Sequence, residues 1–254
     1  QLAADMGGAM YVFTKENDAN IMLNSLQINI NVINWIKKHK KLKRVFFSSS
    51  ACVYNEHNQM AKHAIDTREA SAYPANPDSD YGWEKLTSER LYLAAKRNYG
   101  LEVRIGRYHN VYGPECDYLG IRPKSVAALS VKVIQAEDEI EIFGKGDQVR
   151  SFLYIDDCID ATINVMRSDY SEPLNIGSEQ LVSINQLVDW FIELKGKKLR
   201  KKYIPGPIGV MARNSHNDLI RFHCAWYPQK KLADGLKETY QWIEDQLKSP
   251  QVED

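Results

Sequence analysis

The feature that most constrains this chain is a short apolar strand, a long helix and a second apolar strand in succession. "RVFFSS" (Arg44–Ser49) reads as a strand, and "YGWEKLTSERLYLAAKRNYG" (Tyr81–Gly100) as a helix closed by Gly100. "LEVRIGRY" (Leu101–Tyr108) reads as the next strand. Strands joined through a helix lie side by side in a parallel sheet, because parallel neighbours need a long crossover connection. Upstream, "NDANIMLNSLQININVINWIKKHKK" reads as a long helix, with Met22, Leu26, Val32, Ile33 and Ile36 near helical spacing and Asn17 or Asp18 as its expected cap. Residues 55–80, rich in Pro, Asn and Asp, read as loop.

After "NVYGP" the texture changes. A helix is expected from about Ser125 to Gln135, then a strand "EIEIFG", then a strand "VRSFLYI". The helix "DDCIDATINVMRS" is expected to be capped by Asp156, and "SINQLVDWFIELKG" by Ser183. "PLNIGS" reads as a strand, "IPGPIGV" as a loop, and a last helix runs from about Leu232 to Leu247. The fold class is α/β, a doubly wound parallel sheet with a smaller C-terminal lobe.

Charge excludes some functions. Lys plus Arg and Asp plus Glu number 33 each, so the chain carries no net field for nucleic acid or an anionic membrane. The basic clusters Lys37–Arg44 and Lys195–Lys202 fall at expected helix ends, where cations complement the helix dipole. Cys52, Cys116, Cys158 and Cys224 are too widely spaced for a CxxC metal or thiol-exchange pair. With no signal peptide and no run of about 18 apolar residues, a reducing, cytoplasmic setting is expected. The chain opens on "QLAADMGG", as if entering a strand in mid-fold, and holds no GxxGxxG turn. The expectation is that the amino-terminal part of a longer protein precedes it.

Tyr81 and Lys85 are four residues apart at a helix start, so they share a face. A tyrosine is a poor base at neutral pH, with an ordinary pKa near 10, and a neighbouring ammonium stabilises its phenolate. Such a pair could take the proton of a substrate hydroxyl; alone, it is equally a surface Tyr and Lys on an amphipathic helix. Cys52, in "SSSACVY" at the end of the first strand, reads by position as a small buried hydrophobe. In an extended segment it would point to the same side as Ser50.

Together, "LAADMGG", "SSSACVY", "YGWEK" and "RSFLYIDD" resemble the extended short-chain dehydrogenase/reductases along nearly the whole chain. Within that class, "RYHNVYGP", "GIRPKSVAA", "NIGSE" and above all "IPGPIGVMARNS" resemble the GDP-mannose 3,5-epimerases. The resemblance implies a Rossmann-type NAD-binding domain (residues 1–112 and 150–177) and a substrate-binding lobe (113–149 and 178–254). It implies GDP-mannose as substrate, GDP-L-galactose as product, and NAD as a recycled cofactor in a homodimer paired through the long helices near residues 18–39 and 82–98. Ser50, Tyr81 and Lys85 would serve oxidation and reduction, with Cys52 and Lys124 as an acid/base pair on opposite faces of the sugar. Tyr81, Lys85, Ala3 and Ala4 would contact the cofactor; Ser50, Ala51, Cys52, Asn110, Lys124, Gln148, Arg150 and Arg213 would line the sugar nucleotide, the arginines on its diphosphate. His109 is given no role, and the other cysteines are read as structural.

Two departures stand out: Pro123 occupies a position where the family carries an acidic residue, and the glycine-rich cofactor turn is lacking. Another sugar-nucleotide enzyme of the class, a C4 epimerase or a dehydratase, is the competing activity; the run "SSSACVYNEHN" lacks the Thr expected of a dehydratase. An inactive, truncated paralogue acting as a binding protein is the competing reading from another class.

Overall fold

In the computed structural model, residues 1–39 and 41–249 are described; Lys40, within the first basic cluster, lies outside them. After a single turn α1 (Ala9–Val12) comes α2 (Asp18–Lys38), followed by β1 (Arg44–Ser50). Every residue of β1 after Arg44 is buried, as expected of a strand covered on both faces. α3 (Asp80–Tyr99) crosses over to β2 (Glu102–Tyr108), which pairs parallel with β1 from Arg44 opposite Glu102 to Ser50 opposite Tyr108. The other edge of β2 pairs parallel with β7 (Leu174–Ile176).

The strand residues alternate between two cores. Val45 and Phe47 join Ile33 and Ile36 of α2, Tyr92 and Ala95 of α3, and Val103 and Ile105. Phe46 faces the opposite way, onto Cys158, Ala161 and Val165 of α5 (Ile155–Arg167), with Ile220 of α7 (Asp218–Cys224) and Trp226. Helices therefore cover both sheet faces, the doubly wound arrangement expected from the sequence.

A separate core gathers the remaining elements: α4 (Ser125–Gln135), β4 (Glu139–Phe143), α6 (Ile184–Lys195) and α8 (Leu232–Lys248). Val133, Ile142, Leu187, Phe191, Leu236 and Tyr240 meet there. Its strands form small sheets among the described residues: β4 with β9 (Arg200–Ile204), and β5 (Val149–Ser151) between β8 (Leu181–Ser183) and β10 (Ala212–Arg213). β3 (Val111–Tyr112) and β6 (Leu153–Tyr154) link this region to the larger sheet's end.

Several local expectations hold. Gly100 closes α3 in the left-handed conformation at φ 66°. Ser183 caps α6 in a reciprocal capping box with Gln186. Lys37 and Lys38 occupy the last turn of α2. Lys195, ending α6, donates to the carbonyls of Val133, Ile134 and Ala136 at 2.7, 2.9 and 2.5 Å, and so caps α4 from outside.

Others are overturned. "VRSFLYI" is not one strand: it breaks at Phe152, with β5 pairing in one small sheet and β6 in another. Asp156 does not cap α5, which begins at Ile155. The next carboxylate, Asp157, accepts the backbone N–H groups of Gln229 and Lys230 at 3.1 and 2.9 Å. For α2, Asn17 does occupy the cap position, but its side chain makes no capping bond and its amide donates to the Tyr11 carbonyl, and Asp18 is already helical.

Candidate active site

β1 ends in three serines, and the chain then turns sharply. Ala51–Val53 forms one 3-10 turn, with the Ser50 hydroxyl accepting from the Cys52 backbone N–H at 3.2 Å. The segment is therefore not extended, and the expected alternation from Ser50 to Cys52 does not apply. The turn itself turns Cys52 into a cavity of about 650 Å³ above the carboxyl ends of β1 and β2. Ligands of open α/β sheets bind at this end of the strands.

α3 carries its residues to the same cavity. The Ser79 hydroxyl accepts from the Gly82 N–H and starts the helix, placing Tyr81 in its first turn. Gly82 lies flush on the preceding segment: a Cβ there would stand 2.2 Å from the Cys52 carbonyl oxygen. Lys85 is buried, donates to the Ser48 carbonyl at 2.9 Å, and stands 5.7 Å from the Tyr81 ring centre. Burial drives the Tyr81 phenol upward in pKa, Cys52 adds to the rise, and the Ser50 hydroxyl opposes it. Lys85 stands beside Tyr81 as their shared helix face requires, and the Ser50 hydroxyl is a second group that favours the phenolate. Burial lowers the pKa of Lys85, and the neighbouring Glu84 opposes the fall.

Lys124 reaches the cavity from the N-terminus of α4. The residue is exposed overall; desolvation where it borders the cavity lowers its pKa, and Cys52 opposes the fall. Its loop is held by the start of the chain. Gly8 donates to the Arg122 carbonyl at 2.8 Å, and a Cβ on Gly8 would stand 2.1 Å from the Pro123 carbonyl oxygen. Arg122 donates to the Met6 carbonyl at 2.9 Å and pairs with Asp5 at 3.1 Å. "DMGG" and "IRPK", distant in sequence, are thereby one structural unit.

The remaining expected site residues divide. Ala4, Ala51, Asn110, Gln148, Arg150 and Arg213 line the cavity; Ala3 does not and is exposed. Asn110 donates to the Ser151 carbonyl at 2.9 Å. The Arg150 guanidinium donates to the carbonyls of Val149, Ile208 and Val210, and burial lowers its pKa to about 9. Arg213 is engaged at three nitrogens: Nε donates to Gln59 Oε1 at 2.5 Å, Nη1 to Cys52 Sγ at 3.2 Å and Nη2 to Asp78 Oδ2 at 2.7 Å. Burial raises the Cys52 pKa, while Arg213 opposes the rise.

Sequence reasoning missed Asp78 and Gln59. Asp78 precedes the capping Ser79, which was a legible signal for a helix start; its partner lies 135 residues away, which was not legible. His109 is buried in the cavity wall, its Nε2–H donating to Asn175 Oδ1 at 2.9 Å. The Asn175 amide nitrogen donates to two carbonyls, so its oxygen must be the acceptor.

Comparison with known proteins agrees with this geometry. Residues 6–177 match the NAD dependent epimerase/dehydratase family. The chain is 41% identical to the GDP-mannose 3,5-epimerase of Arabidopsis thaliana over 97% of its own length and 64% of that protein's. It thus spans a little under two thirds of that curated relative. The UDP-glucose 4-epimerase of Thermotoga maritima, solved with UDP-glucose, superposes at a TM-score of 0.84 with 26% identity, covering 97% of this chain and 76% of that one. The UDP-glucuronic acid 4-epimerase of Bacillus cereus, solved with UDP-glucuronic acid and NAD, gives 0.77 with 25% identity, covering 89% and 69%. With Tyr81, Lys85 and the β1 serines on one cavity, and a family match across most of the sheet, the chain belongs to the NAD dependent epimerase/dehydratase family.

Proposed function

We propose that the protein epimerises GDP-mannose at C3 and C5 to GDP-L-galactose, with NAD as a recycled cofactor. The observation that carries this reading is that Cys52 and Lys124 line the same cavity as Tyr81 and Lys85. A C4 epimerase needs only the second pair.

The residues present fit the nicotinamide-ribose end of the cofactor. The buried Lys85 ammonium spends one donor on the Ser48 carbonyl and has two more for ribose hydroxyls beside Tyr81. Ala4 lines the adjoining wall. The chemistry NAD supplies when bound is reversible oxidation at C4 of the sugar, which makes the C3 and C5 protons acidic. Tyr81 takes and returns the C4 hydroxyl proton, with Ser50 donating to the phenolate as it forms. Cys52 and Lys124 remove and deliver ring protons on opposite faces. Desolvation by the cavity walls lowers the pKa of the otherwise exposed Lys124, which suits a base, and burial raises that of Cys52, which suits an acid. Asn110, Gln148 and Arg150 hold the sugar nucleotide, with Arg150 on the diphosphate.

The test is exchange of ring protons with deuterated water, read by NMR on recovered GDP-mannose. Cys52→Ser is expected to oxidise at C4 and to lose exchange and inversion at C5 and C3. Parent-like exchange in Cys52→Ser would refute the acid/base assignment. UDP-glucose turnover with no exchange in the parent would favour the C4-epimerase reading, which the likeness to the Thermotoga enzyme supports.

The same proposal includes the two-domain division at residues 1–112 with 150–177 and 113–149 with 178–254, a cytoplasmic location and a homodimer. No described helix is long and apolar enough to cross a membrane. Exposed Leu23 and Ile30, seven residues apart on one side of α2, support pairing through the α2–α3 face. Sedimentation of Ile30→Lys as a monomer beside a dimeric parent is the expected result.

A further inference from the structure

We propose that Asp78 and Gln59 are positioning residues that hold the Arg213 guanidinium against the Cys52 sulfur, so that the thiol can ionise in an otherwise buried site. Arginine is flexible, and a guanidinium left free would leave the sulfur for any better acceptor. Here Nε, Nη1 and Nη2 each have one acceptor, so the plane cannot swing without losing a hydrogen bond. Both supports are themselves fixed. Gln59 is fully buried, and its amide nitrogen donates to the carbonyls of Tyr54 and Asn55 at 3.3 Å, which leaves its oxygen for Arg213. The Asp78 side chain is 2% exposed, and its other oxygen accepts from Ser79, the cap of the helix that carries Tyr81. The clamp thus ties the thiol to the start of α3.

Polar and titratable groups from several elements act on Cys52. Arg213 comes from β10, Asp78 from the loop before α3, and Tyr81 and Lys85 from α3 itself. Lys124 comes from the start of α4, Arg150 from β5, and the Ser50 hydroxyl from the end of β1. Arg213 is the one whose nitrogen touches the sulfur. Asp78 acts on the thiol in two opposed ways: its charge alone disfavours the thiolate, while its grip on Arg213 favours it. The proposal is that the grip dominates.

The experiment measures alkylation of Cys52 by iodoacetamide from neutral to alkaline pH, by mass spectrometry of its peptide, with Cys116 and Cys224 as references in the same sample. Asp78→Ala and Gln59→Ala are each expected to slow the reaction near neutral pH by about tenfold, the effect of raising the thiol pKa by about one unit. Asp78→Asn keeps an acceptor for Nη2 without the charge, and is expected to match or exceed the parent rate. A rate in Asp78→Ala equal to or above the parent's would overturn the proposal and leave Asp78 as a counter-charge only. If Asp78→Ala does not fold, Gln59→Ala, which removes no charge, decides alone by the same criterion. The inference rests on reading Cys52 as a proton-transfer group, but alkylation reads the thiol itself. Turnover by Cys52→Ser would sink that reading and leave the alkylation result standing.

Discussion

Replacing Arg107 by methionine tests how the strand ends beneath the site are held. Arg107 and Glu89 have side chains only 2% exposed and form two hydrogen bonds, at 2.9 and 2.8 Å. Glu89 also accepts from the Ser49 hydroxyl at 2.5 Å, and Arg107 donates to the Glu69 carbonyl at 2.7 Å. Its guanidinium lies over the Tyr54 ring, 5.1 Å from the centre. Methionine keeps the unbranched length and removes every donor. Glu89 is then a buried carboxylate whose remaining partner among these is Ser49. Removing one member of such a pair costs about 3–5 kcal/mol, because the other charge stays desolvated. At roughly 2–4 °C per kcal/mol for a chain of this size, the melting midpoint should fall by roughly 6–20 °C. The assay is urea and thermal unfolding followed by circular dichroism. The double variant Arg107→Met with Glu89→Met removes both charges and should be more stable than Arg107→Met alone. A single variant within about 1 kcal/mol of the parent, or a double variant less stable than the single, would refute the reasoning.

Three other outcomes are expected. Tyr81→Phe should abolish turnover while leaving GDP-mannose binding, measured by calorimetry, near the parent's; near-normal turnover would remove its assignment as base. Gly82→Ala must push a methyl into the Cys52 carbonyl, so it should cost about 1–3 kcal/mol in urea unfolding and lower the turnover number more than it raises KM. The His109 imidazole, held neutral by burial, has its pKa lowered to about 3 from an ordinary 6.5. The unfolded chain therefore takes up a proton below about pH 6.5 that the folded chain refuses until about pH 3. Stability from this residue falls as pH drops through that window, by up to about 1.4 kcal/mol per unit, and His109→Gln should flatten the acid limb of the unfolding profile.

What repeats locally was legible in the amino-acid order alone. The strand–helix–strand succession, the Gly100 stop, the Ser183 cap and the shared face of Tyr81 and Lys85 follow from periodicity and capping chemistry within one or two turns of chain. Motif resemblance extended this to the cavity residues Cys52, Lys124, Asn110, Gln148, Arg150 and Arg213, which the fold does bring together. Tertiary structure decided what those residues touch. Arg213 rests on Asp78, Gln59 and Cys52, contacts formed only when β10 is laid against the loops that follow β1. Asp157 rather than Asp156 found backbone donors, because residues 229 and 230 pass beside it. "VRSFLYI" broke at Phe152 because its two halves found different partner strands. Periodicity records which face a residue turns inward; it carries no record of which distant segment will supply the hydrogen-bond partner there, and in a buried site that partner sets both charge and position.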